Sequence, residues 1–443
     1  MKMGMVLALL VASTSLWAQA SSKEDRTAIL KYGIETEVLD LVQALRQEKN
    51  AEYRDLLLDA YGHARTDELK QALLLLFLDL KDTGLQDQAI HEISDSDKKG
   101  NGLLLEAVSY LTELKSQAAK ESFATAVTGK NKILAVASIR ALGKLGATDK
   151  VDDLLKIYQD AETDPNYKPD LIWTFGEMKA ASAVDLLLKE YDENDAQPLF
   201  QRSILEALGK IGDEKAWDRI EAALAATNTD IRAAAVATLA SFPSHPAAPL
   251  LASALRDAQP AVREAAALAA KTLKPAELKD ILSYRVRKDP EAKVRVACLK
   301  ALAAYGDGPS LVLSFVSDRK TEPATWRESL NLALDGQYPG TAEALRKLME
   351  DDNKDKNGSL TATVTSALLS RRDGYRALFG VALASDKVPA RAAALRAVSV
   401  GKYTEYRSTL ETLAAKDADA GIRAQAAAIL KDWGADPQAK KTN

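Results

Sequence analysis

The sequence contains few of the residues that build covalent cross-links and catalytic centres. Its 443 residues include one cysteine, Cys298, and three histidines, His63, His91 and His245. A single cysteine excludes an internal disulfide, so packing must stabilise the fold. Cys298 stands in the apolar helical pattern VRVACLKAL, which indicates a buried thiol. The histidines are far apart and show no metal-ligand spacing.

A basic cluster and a long apolar run are also absent from the sequence. Acidic and basic residues alternate evenly, and the formal net charge is −4. Sequence-independent nucleic-acid binding needs concentrated positive charge, so this composition argues against it. The most apolar stretch after the N-terminus, ALLLLFLDL (72–80), is far shorter than the roughly 20 residues that span a membrane. It therefore predicts a buried helix.

The first 20 residues have the layout of a secretory signal peptide. Lys2 supplies a positive start, residues 5–12 form a short apolar run, and residues 18–20 (AQA) fit a cleavage site. A buried helix or a membrane anchor is the alternative. The run is too short for a span, and no cysteine follows that could carry a lipid. We therefore expect a signal peptide over residues 1–20 and a periplasmic or secreted mature chain.

Internal repetition organises the rest of the sequence. IRALGKLG (139–146) and LEALGKIG (205–212) begin 66 residues apart, which is two periods of 33. One apolar position recurs at spacings of 30 to 34 residues. It is occupied by Leu142, Phe175, Leu208, Leu239, Ala270, Leu302, Leu334, Leu368, Val398 and Leu430. We call this position the apolar slot; its regular recurrence indicates a repeat protein.

An arginine recurs in register with the apolar slot and often follows an aspartate by six residues. The arginines are Arg202, Arg232, Arg263, Arg295, Arg327, Arg391 and Arg423. We expect them to bond to the aspartate or the carbonyl groups of the preceding loop and so tether one repeat to the next. A row of arginines that binds a substrate is the alternative.

The sequence pattern predicts two helices in each repeat. In residues 289–316, apolar residues fall on one helical face, a Gly/Pro turn follows, and a second apolar helix begins. No segment alternates as a strand does, so the fold class is all-α. We interpret Gly143, Gly146, Gly209 and Gly212 as helix ends. A phosphate-binding loop is excluded because a helix precedes them and no GK[ST] ending follows.

The pattern D-x4-[VI]-R-x2-A-x3-L-x2-LG resembles HEAT repeats in the short form of bacterial HEAT-like and phycobilisome-lyase-type proteins. DPEAKVRVACLKALAAYGD (289–307) carries the resemblance best. It implies an α-solenoid of about ten helix pairs over residues 131–434. Residues 21–130 fit poorly and are expected to form degenerate repeats or a helical cap, and residues 435–443 a polar tail. A bilin-lyase role, implied by the likeness alone, has no support in an exported chain.

Two acidic loops partly match the calcium-binding loop of an EF-hand. In residues 95–106, Lys99 stands where an oxygen ligand is needed, and residues 353–364 end in Val364 where glutamate is needed. Solvated loops between helices share this composition, so calcium binding stays an open alternative. We predict no catalytic residue, no metal ligand and no cofactor, because no nucleophile–base pair or metal-binding helix is recognisable.

The position two residues before the apolar slot is largely polar, which predicts that it faces solvent. Arg140, Glu206, Lys300 and Arg396 occupy it. In one repeat it is Trp173, and tryptophan is enriched among the residues that dominate binding energy at interfaces. Packing of Trp173 under the neighbouring loop, residues 162–170, is the alternative. We predict that these five residues contact a partner.

Together these features predict a non-catalytic exported scaffold that binds a protein of the cell envelope through an extended solenoid surface. Binding of an envelope polymer such as a glycan is the second hypothesis, and an enzyme built on the same scaffold is the third. The sequence specifies neither the identity of the partner nor the oligomeric state.

Overall fold

The computed structural model describes residues 22–96, 99–355 and 359–434. All regular secondary structure in these residues is helical, with 26 α-helices and no strand. The all-α class predicted from the sequence is therefore confirmed. The chain forms two compact units, the first ending at Phe242 and the second beginning at Pro243. This division differs from the boundary near residue 130 that the sequence suggested.

Helices α1 to α14 belong to the first unit. They are α1 (Lys23–Tyr32), α2 (Glu35–Glu48), α3 (Arg54–His63), α4 (Asp67–Asp79), α5 (Gln86–Ser94), α6 (Asn101–Glu113), α7 (Lys120–Val127), α8 (Lys132–Leu145), α9 (Val151–Gln159), α10 (Lys168–Glu177), α11 (Val184–Glu193), α12 (Pro198–Ile211), α13 (Trp217–Ala223) and α14 (Thr229–Thr238). Short 3-10 helices cover Gln117–Ala119, Thr148–Lys150, Pro165–Tyr167, Ala181–Ala183, Glu214–Ala216 and Leu239–Ser241.

Helices α15 to α26 belong to the second unit. They are α15 (Ala247–Ala254), α16 (Pro260–Leu273), α17 (Lys279–Lys288), α18 (Ala292–Ala303), α19 (Gly308–Ser317), α20 (Pro323–Asp335), α21 (Thr341–Lys354), α22 (Leu360–Ala367), α23 (Arg376–Leu383), α24 (Val388–Gly401), α25 (Arg407–Lys416) and α26 (Ala420–Trp433). Short 3-10 helices cover Ala276–Leu278, Arg372–Tyr375 and Thr404–Tyr406.

Odd- and even-numbered helices alternate as the two members of each helix pair. Successive even-numbered helices pack side by side from α2 to α14, from α16 to α20 and from α22 to α26. Odd-numbered helices pack against their even-numbered partners, as α7 does against α8 and α17 against α18. Helices α1 to α7 follow the same alternation, so the described part of residues 21–130 consists of helix pairs. Residues 131–434 contain α8 to α26, in agreement with the roughly ten helix pairs expected there, and the chain is an all-α solenoid.

The apolar slot forms the core between the helices. Leu142, Phe175, Leu208, Leu239, Ala270, Leu302, Leu334, Leu368 and Val398 are each no more than 2% exposed. The tenth member, Leu430, lies on α26, the last described helix, and is half-buried. Small residues of the even-numbered helices, such as Ala207 and Ala235, are also buried. Their size lets neighbouring backbones approach closely, which is how the layer of even-numbered helices packs.

Glycine has two different roles in these repeats. Gly146 and Gly212 end α8 and α12 in the left-handed conformation, with φ of 61° and 68°. Gly143 and Gly209 lie inside those helices, so their interpretation as helix ends was wrong. A Cβ on Gly209 would lie 2.3 Å from Thr238 Cγ2 of α14, and a Cβ on Gly143 would crowd α10. Glycine is needed there because the next even-numbered helix approaches closely.

Candidate functional site

Trp173 lies half-buried in a groove of about 400 Å³ that crosses α8, α10 and α12. Its ring lies over Gly143 of α8, since a Cβ on that glycine would be 3.0 Å from Trp173 Cζ3. From α12, Lys210 Nζ lies 5.5 Å from the ring centroid. This distance is within the range of cation–π attraction. The indole is therefore held between two neighbouring helices while part of it remains exposed.

The groove brings together three of the five predicted partner-binding residues, Arg140, Trp173 and Glu206. Its other lining residues are Lys144, Pro169, Asp170, Ser203, Ala207 and Lys210. The sequence reasoning missed Lys144 and Lys210, although the signal was present. Each follows a predicted residue by four positions, and residues four apart share one face of a helix.

Ion pairs hold the polar walls of the groove in place. Arg140 Nε donates to Asp170 Oδ1 at 2.5 Å, and Arg202 Nε donates to Glu206 Oε1 at 2.8 Å. Lys144 pairs with Glu113, and Lys210 pairs with Glu177. Exposed pairs of this kind contribute little to stability. Their effect here is to order long side chains of both signs around the tryptophan.

The other two predicted partner-binding residues lie in the second unit. Lys300 pairs with Glu328, with 3.0 Å between Nζ and Oε1, and Arg396 is exposed on α24. Both occupy the predicted position in their own repeats. They are not among the residues that line the Trp173 groove. The position therefore identifies a solvent-facing side of each helix, whereas the groove is a feature of α8, α10 and α12.

Five of the seven recurring arginines donate from Nη1 to the backbone carbonyl six residues earlier. They are Arg232, Arg263, Arg295, Arg391 and Arg423, with N–O distances of 2.6 to 2.9 Å. Each bond fixes the guanidinium to the loop that precedes its helix. Hydrogen bonds from a charged donor are stronger than those between neutral groups.

Arg263, Arg295 and Arg391 also reach the next repeat, Arg295 through Glu322 with 3.0 Å between Nη2 and Oε2. Arg263 binds the carboxylate of Asp289 through two hydrogen bonds of 2.8 Å. Arg391 also pairs with Asp417: Nη2 donates to Oδ1 at 2.9 Å, and Nε lies 2.8 Å from Oδ2. The backbone carbonyl of Asp289 in turn accepts from Arg295 at 2.7 Å. An aspartate thus connects the arginines of two successive repeats.

The structure differs from the prediction at Arg202 and Arg327, which are exposed on their helices. The residue before each of them is buried and bonds instead to the last turn of the preceding helix. Gln201 Nε2 donates to the carbonyl of Tyr191, and Trp326 Nε1 donates to that of Val316, each at 2.9 Å. The inward position is therefore one residue earlier in these two repeats, so Arg202 and Arg327 do not belong with the tethering arginines.

In the first acidic loop, Lys99 and the backbone of Gly100 bond to residues of neighbouring helices. Lys99 Nζ lies 2.9 Å from Glu92 Oε2, and the N–H of Gly100 donates to Asp67. Glu106 lies within α6, where burial raises its pKa. Asp97, which the EF-hand pattern would use, lies outside the described residues.

In the second acidic loop, Asn353 Oδ1 accepts from Ser385 Oγ at 2.6 Å, and Asp355 pairs with Arg319 at 3.3 Å. Residues 356–358 lie outside the described part. Across the residues that the structure describes, no group of three or more His, Cys, Asp or Glu side chains is arranged to hold a metal ion.

The predicted signal peptide, residues 1–20, and the predicted tail, residues 435–443, both lie outside the described residues. Among the helices that the structure describes, none has the length and apolar character needed to cross a membrane.

The profile of spirochaete HEAT repeat proteins matches residues 30–429. This range includes the helix pairs of the N-terminal region as well as the repeats recognised from the sequence. The resemblance to HEAT repeats is thereby confirmed, and it extends further towards the N-terminus than the sequence motifs indicated. No curated protein is recognisably similar in sequence.

Several solved structures are similar at low identity. The phycocyanin lyase complex of CpcE and CpcF from Nostoc is 20% identical, over 56% of this chain and 92% of that one, with a TM-score of 0.37. Human deoxyhypusine hydroxylase is 18% identical, over 56% and 94%, with a TM-score of 0.27. Kap95p, solved with RanGDP, is 12% identical, over 93% and 67%, with a TM-score of 0.46. At this level they carry no argument about function.

Proposed function

The chain belongs to the family of spirochaete HEAT repeat proteins, and on that premise we propose that it is a non-catalytic exported scaffold that binds another protein of the cell envelope. The observation that carries the proposal is the half-buried Trp173 at the centre of its groove. Tryptophan in a partly formed pocket is the typical anchor of a protein interface. Stacked helix pairs offer the extended surface on which such anchors act.

The walls of the groove favour a protein partner. They carry both signs of charge, with Arg140 and Lys210 facing Glu206 and Asp170 around one aromatic ring. A protein segment combines apolar and charged side chains in the same way. The ion pairs already order these walls, which reduces the side-chain entropy lost on binding.

The same groove gives little support to catalysis. Among the residues that line it, Ser203 carries a hydroxyl, and that hydroxyl donates to the carbonyl of Leu199 on its own helix at 3.0 Å. The carboxylates of Asp170 and Glu206 are hydrogen-bonded to arginines. A nucleophile needs a neighbouring base that is available to take its proton. An enzyme therefore remains the weaker hypothesis.

An in-cell crosslinking pull-down tests the proposal. The native protein, Trp173→Ala and Lys300→Ala would be compared by mass spectrometry of the captured proteins. Lys300 occupies the same position of its repeat in the second unit, so it is the matched control. We expect one or two envelope proteins to be retained by the native form and by Lys300→Ala, and lost by Trp173→Ala. Thermal melting of each variant checks that the fold is kept.

Other results would revise the proposal in defined ways. If Trp173→Ala captures the same proteins as the native form, the chain is still a scaffold, but its partner binds outside the Trp173 groove. Capture of no specific protein, together with binding to purified envelope glycan, would replace the protein partner by a polymer.

Export is tested separately. Cell fractionation and N-terminal sequencing of the mature protein should locate the chain outside the cytoplasm, with Ser21 as its first residue. A chain that begins at Met1 and stays in the cytoplasm would contradict both the signal peptide and an envelope partner.

A further inference from the structure

Four lysines at one edge of the first unit have a left-handed backbone. Lys49, Lys81, Lys115 and Lys179 have φ between 51° and 56°. Each lies within two residues of the end of an even-numbered helix, namely α2, α4, α6 and α10. We call this row the lysine edge. Residues with a Cβ rarely adopt this conformation, because the Cβ crowds the following carbonyl oxygen.

The helix ends themselves do not require lysine. At the ends of α8 and α12 the same position is occupied by Gly146 and Gly212, also with positive φ. The closing hydrogen bond is the same in both cases. Asp82 N–H donates to the Phe77 carbonyl at 2.9 Å, and Ala147 N–H donates to the Leu142 carbonyl at 3.1 Å. A positive charge near a helix C-terminus is favourable, yet glycine satisfies this fold without the strain.

The four lysines are exposed and lack the partners that neighbouring cations have. Arg46, Lys144 and Lys210 pair with Asp79, Glu113 and Glu177, the acidic residues two positions before Lys81, Lys115 and Lys179. The carboxylates adjacent to Lys49 and Lys81, Glu48 and Asp82, pair with Arg26 and Arg54. Within the described residues, none of the four lysines forms an ion pair. The lysine edge thus carries unneutralised positive charge.

The spacing of the lysine edge suits an extended chain. Packed helices lie about 8–10 Å apart, so Lys49, Lys81 and Lys115 present one charge per repeat at roughly that interval. Lys179 follows two intervals later, because Gly146 occupies the position between them. An extended polypeptide rises about 3.3 Å per residue, so a carboxylate at every third position matches the row. The edge also lies near the Trp173 groove, because Trp173 and Lys179 are separated by about 9 Å of helical rise.

We propose that the lysine edge binds an extended acidic segment of the protein partner, an inference that rests on the proposed function. Lysine is a point charge on a flexible stem, so it tolerates carboxylates at slightly different positions along a chain. Strain that persists where glycine would fit is characteristic of functional positions. The tryptophan then supplies an apolar anchor, and the lysines align the charged segment beside it.

The test uses the full chain and a fluorescent poly-L-glutamate of about 20 residues, followed by fluorescence anisotropy across a salt titration. The test variant replaces all four lysines of the edge by glycine, which fits a positive φ and keeps the helix ends. The charge-matched control replaces four exposed lysines elsewhere in the first unit by alanine, namely Lys31, Lys130, Lys156 and Lys189. Thermal melting confirms that both variants are folded.

We expect salt-sensitive binding that weakens about tenfold or more in the glycine variant, which is the order expected for four exposed ion pairs. The control variant should stay within about twofold of the native protein. Equal weakening in both variants, or no binding by the native chain, would overturn the inference. Binding to vesicles of anionic lipid that depends on the lysine edge, without binding to polyglutamate, would also overturn it.

Trp173→Ala separates this inference from the proposed function. We expect that variant to bind polyglutamate as the native protein does while losing its envelope partner in the pull-down. If partner capture depends on Trp173 but the glycine variant still binds polyglutamate normally, the scaffold proposal stands and the acidic segment is excluded.

Discussion

The guanidinium of Arg263 and the carboxylate of Asp289 form a buried, two-bond ion pair between successive repeats. Arg263 Nε to Asp289 Oδ2 and Nη2 to Oδ1 are both 2.8 Å. The two side chains are 6% and 0% exposed. Nη1 of the same arginine donates to the carbonyl of Asp257 at 2.9 Å. One side chain therefore connects the loop before its own helix with the loop of the following repeat.

Removing the arginine should destabilise the protein strongly. Arg263→Ala removes two hydrogen bonds from the buried carboxylate of Asp289 and leaves it with Arg285, whose Nη1 lies 3.3 Å from Oδ2. Loss of one member of a buried pair costs about 3–5 kcal/mol, and Arg285 offsets part of this loss. Chemical denaturation followed by circular dichroism measures the free energy of unfolding. Arg202→Ala is the matched control, because Arg202 is exposed and pairs within its own helix. We expect the control to change stability by no more than about 0.5 kcal/mol; equal losses would contradict the tether.

The same pair should give stability a specific pH dependence. Burial disfavours the charged form of Asp289, but hydrogen bonds from Arg263 and from the N–H of Glu291 outweigh it and hold its pKa below the usual range. In the unfolded chain an aspartate has a pKa of about 3.9. The stabilising contribution is therefore complete above that pH and is lost as the pH falls through the lower native pKa.

Asp289→Asn tests this dependence. The stability difference between the native protein and the variant should be large at about pH 6. It should shrink as the pH falls below about 4, because the unfolded aspartate then takes up a proton, and it should be lost once the native carboxyl is protonated as well. Denaturant titrations at a series of pH values measure it. A difference that does not change with pH would show that the ionised carboxylate contributes nothing.

Gly209→Ala should destabilise the fold even though alanine is the better helix former. Alanine in a helix interior is favoured by roughly 1 kcal/mol. The new Cβ would lie 2.3 Å from Thr238 Cγ2, and such overpacking costs about 1–3 kcal/mol. We expect a net loss of up to about 2 kcal/mol in denaturation experiments.

Two further variants control this prediction. Gly62→Ala in α3 meets no atom within 4 Å and should gain up to about 1 kcal/mol. Thr238→Ala combined with Gly209→Ala removes the clashing methyl group and should recover part of the loss. If both glycine variants were stabilised equally, the close approach of α12 and α14 would be wrong.

The helix pairs of residues 21–130 were not recognised from the sequence, although their helix ends have the same geometry as those of the recognised repeats. Ala147 N–H donates to the carbonyl of Leu142, and Asn50 N–H donates to that of Leu45 in the same way. The first helix end contains Gly146, whereas the second contains Lys49 in the left-handed conformation. Lysine at this position does not by itself hide a repeat, because the recognised repeats include those that end at Lys179, Lys274 and Lys402. The N-terminal pairs differ in their other positions, which fit the repeat pattern poorly.

The repeat period predicted part of the candidate site, namely the solvent-facing positions of its helices. The position two residues before the apolar slot is mostly polar, and this pattern identified Arg140, Trp173 and Glu206 as solvent-facing residues. It could not distinguish them from Lys300, which occupies the same position in the other unit. The error at Arg202 has a similar cause: the inward side chain there is Gln201, and a shift of one residue is invisible when only the arginine is aligned.

Cys298 should be unreactive in the native protein. It is fully buried, and burial is the main cause that raises the pKa of its thiol to about 12. The thiolate is the reactive species, so a raised pKa and a closed environment both slow modification. We expect a thiol reagent in mildly alkaline buffer to label no cysteine in the folded protein and one per chain in denaturant.

The Arg263→Ala variant should be labelled faster than the native protein, because a less stable fold opens more often. Rapid labelling of the folded native chain would show that α18 does not pack as described.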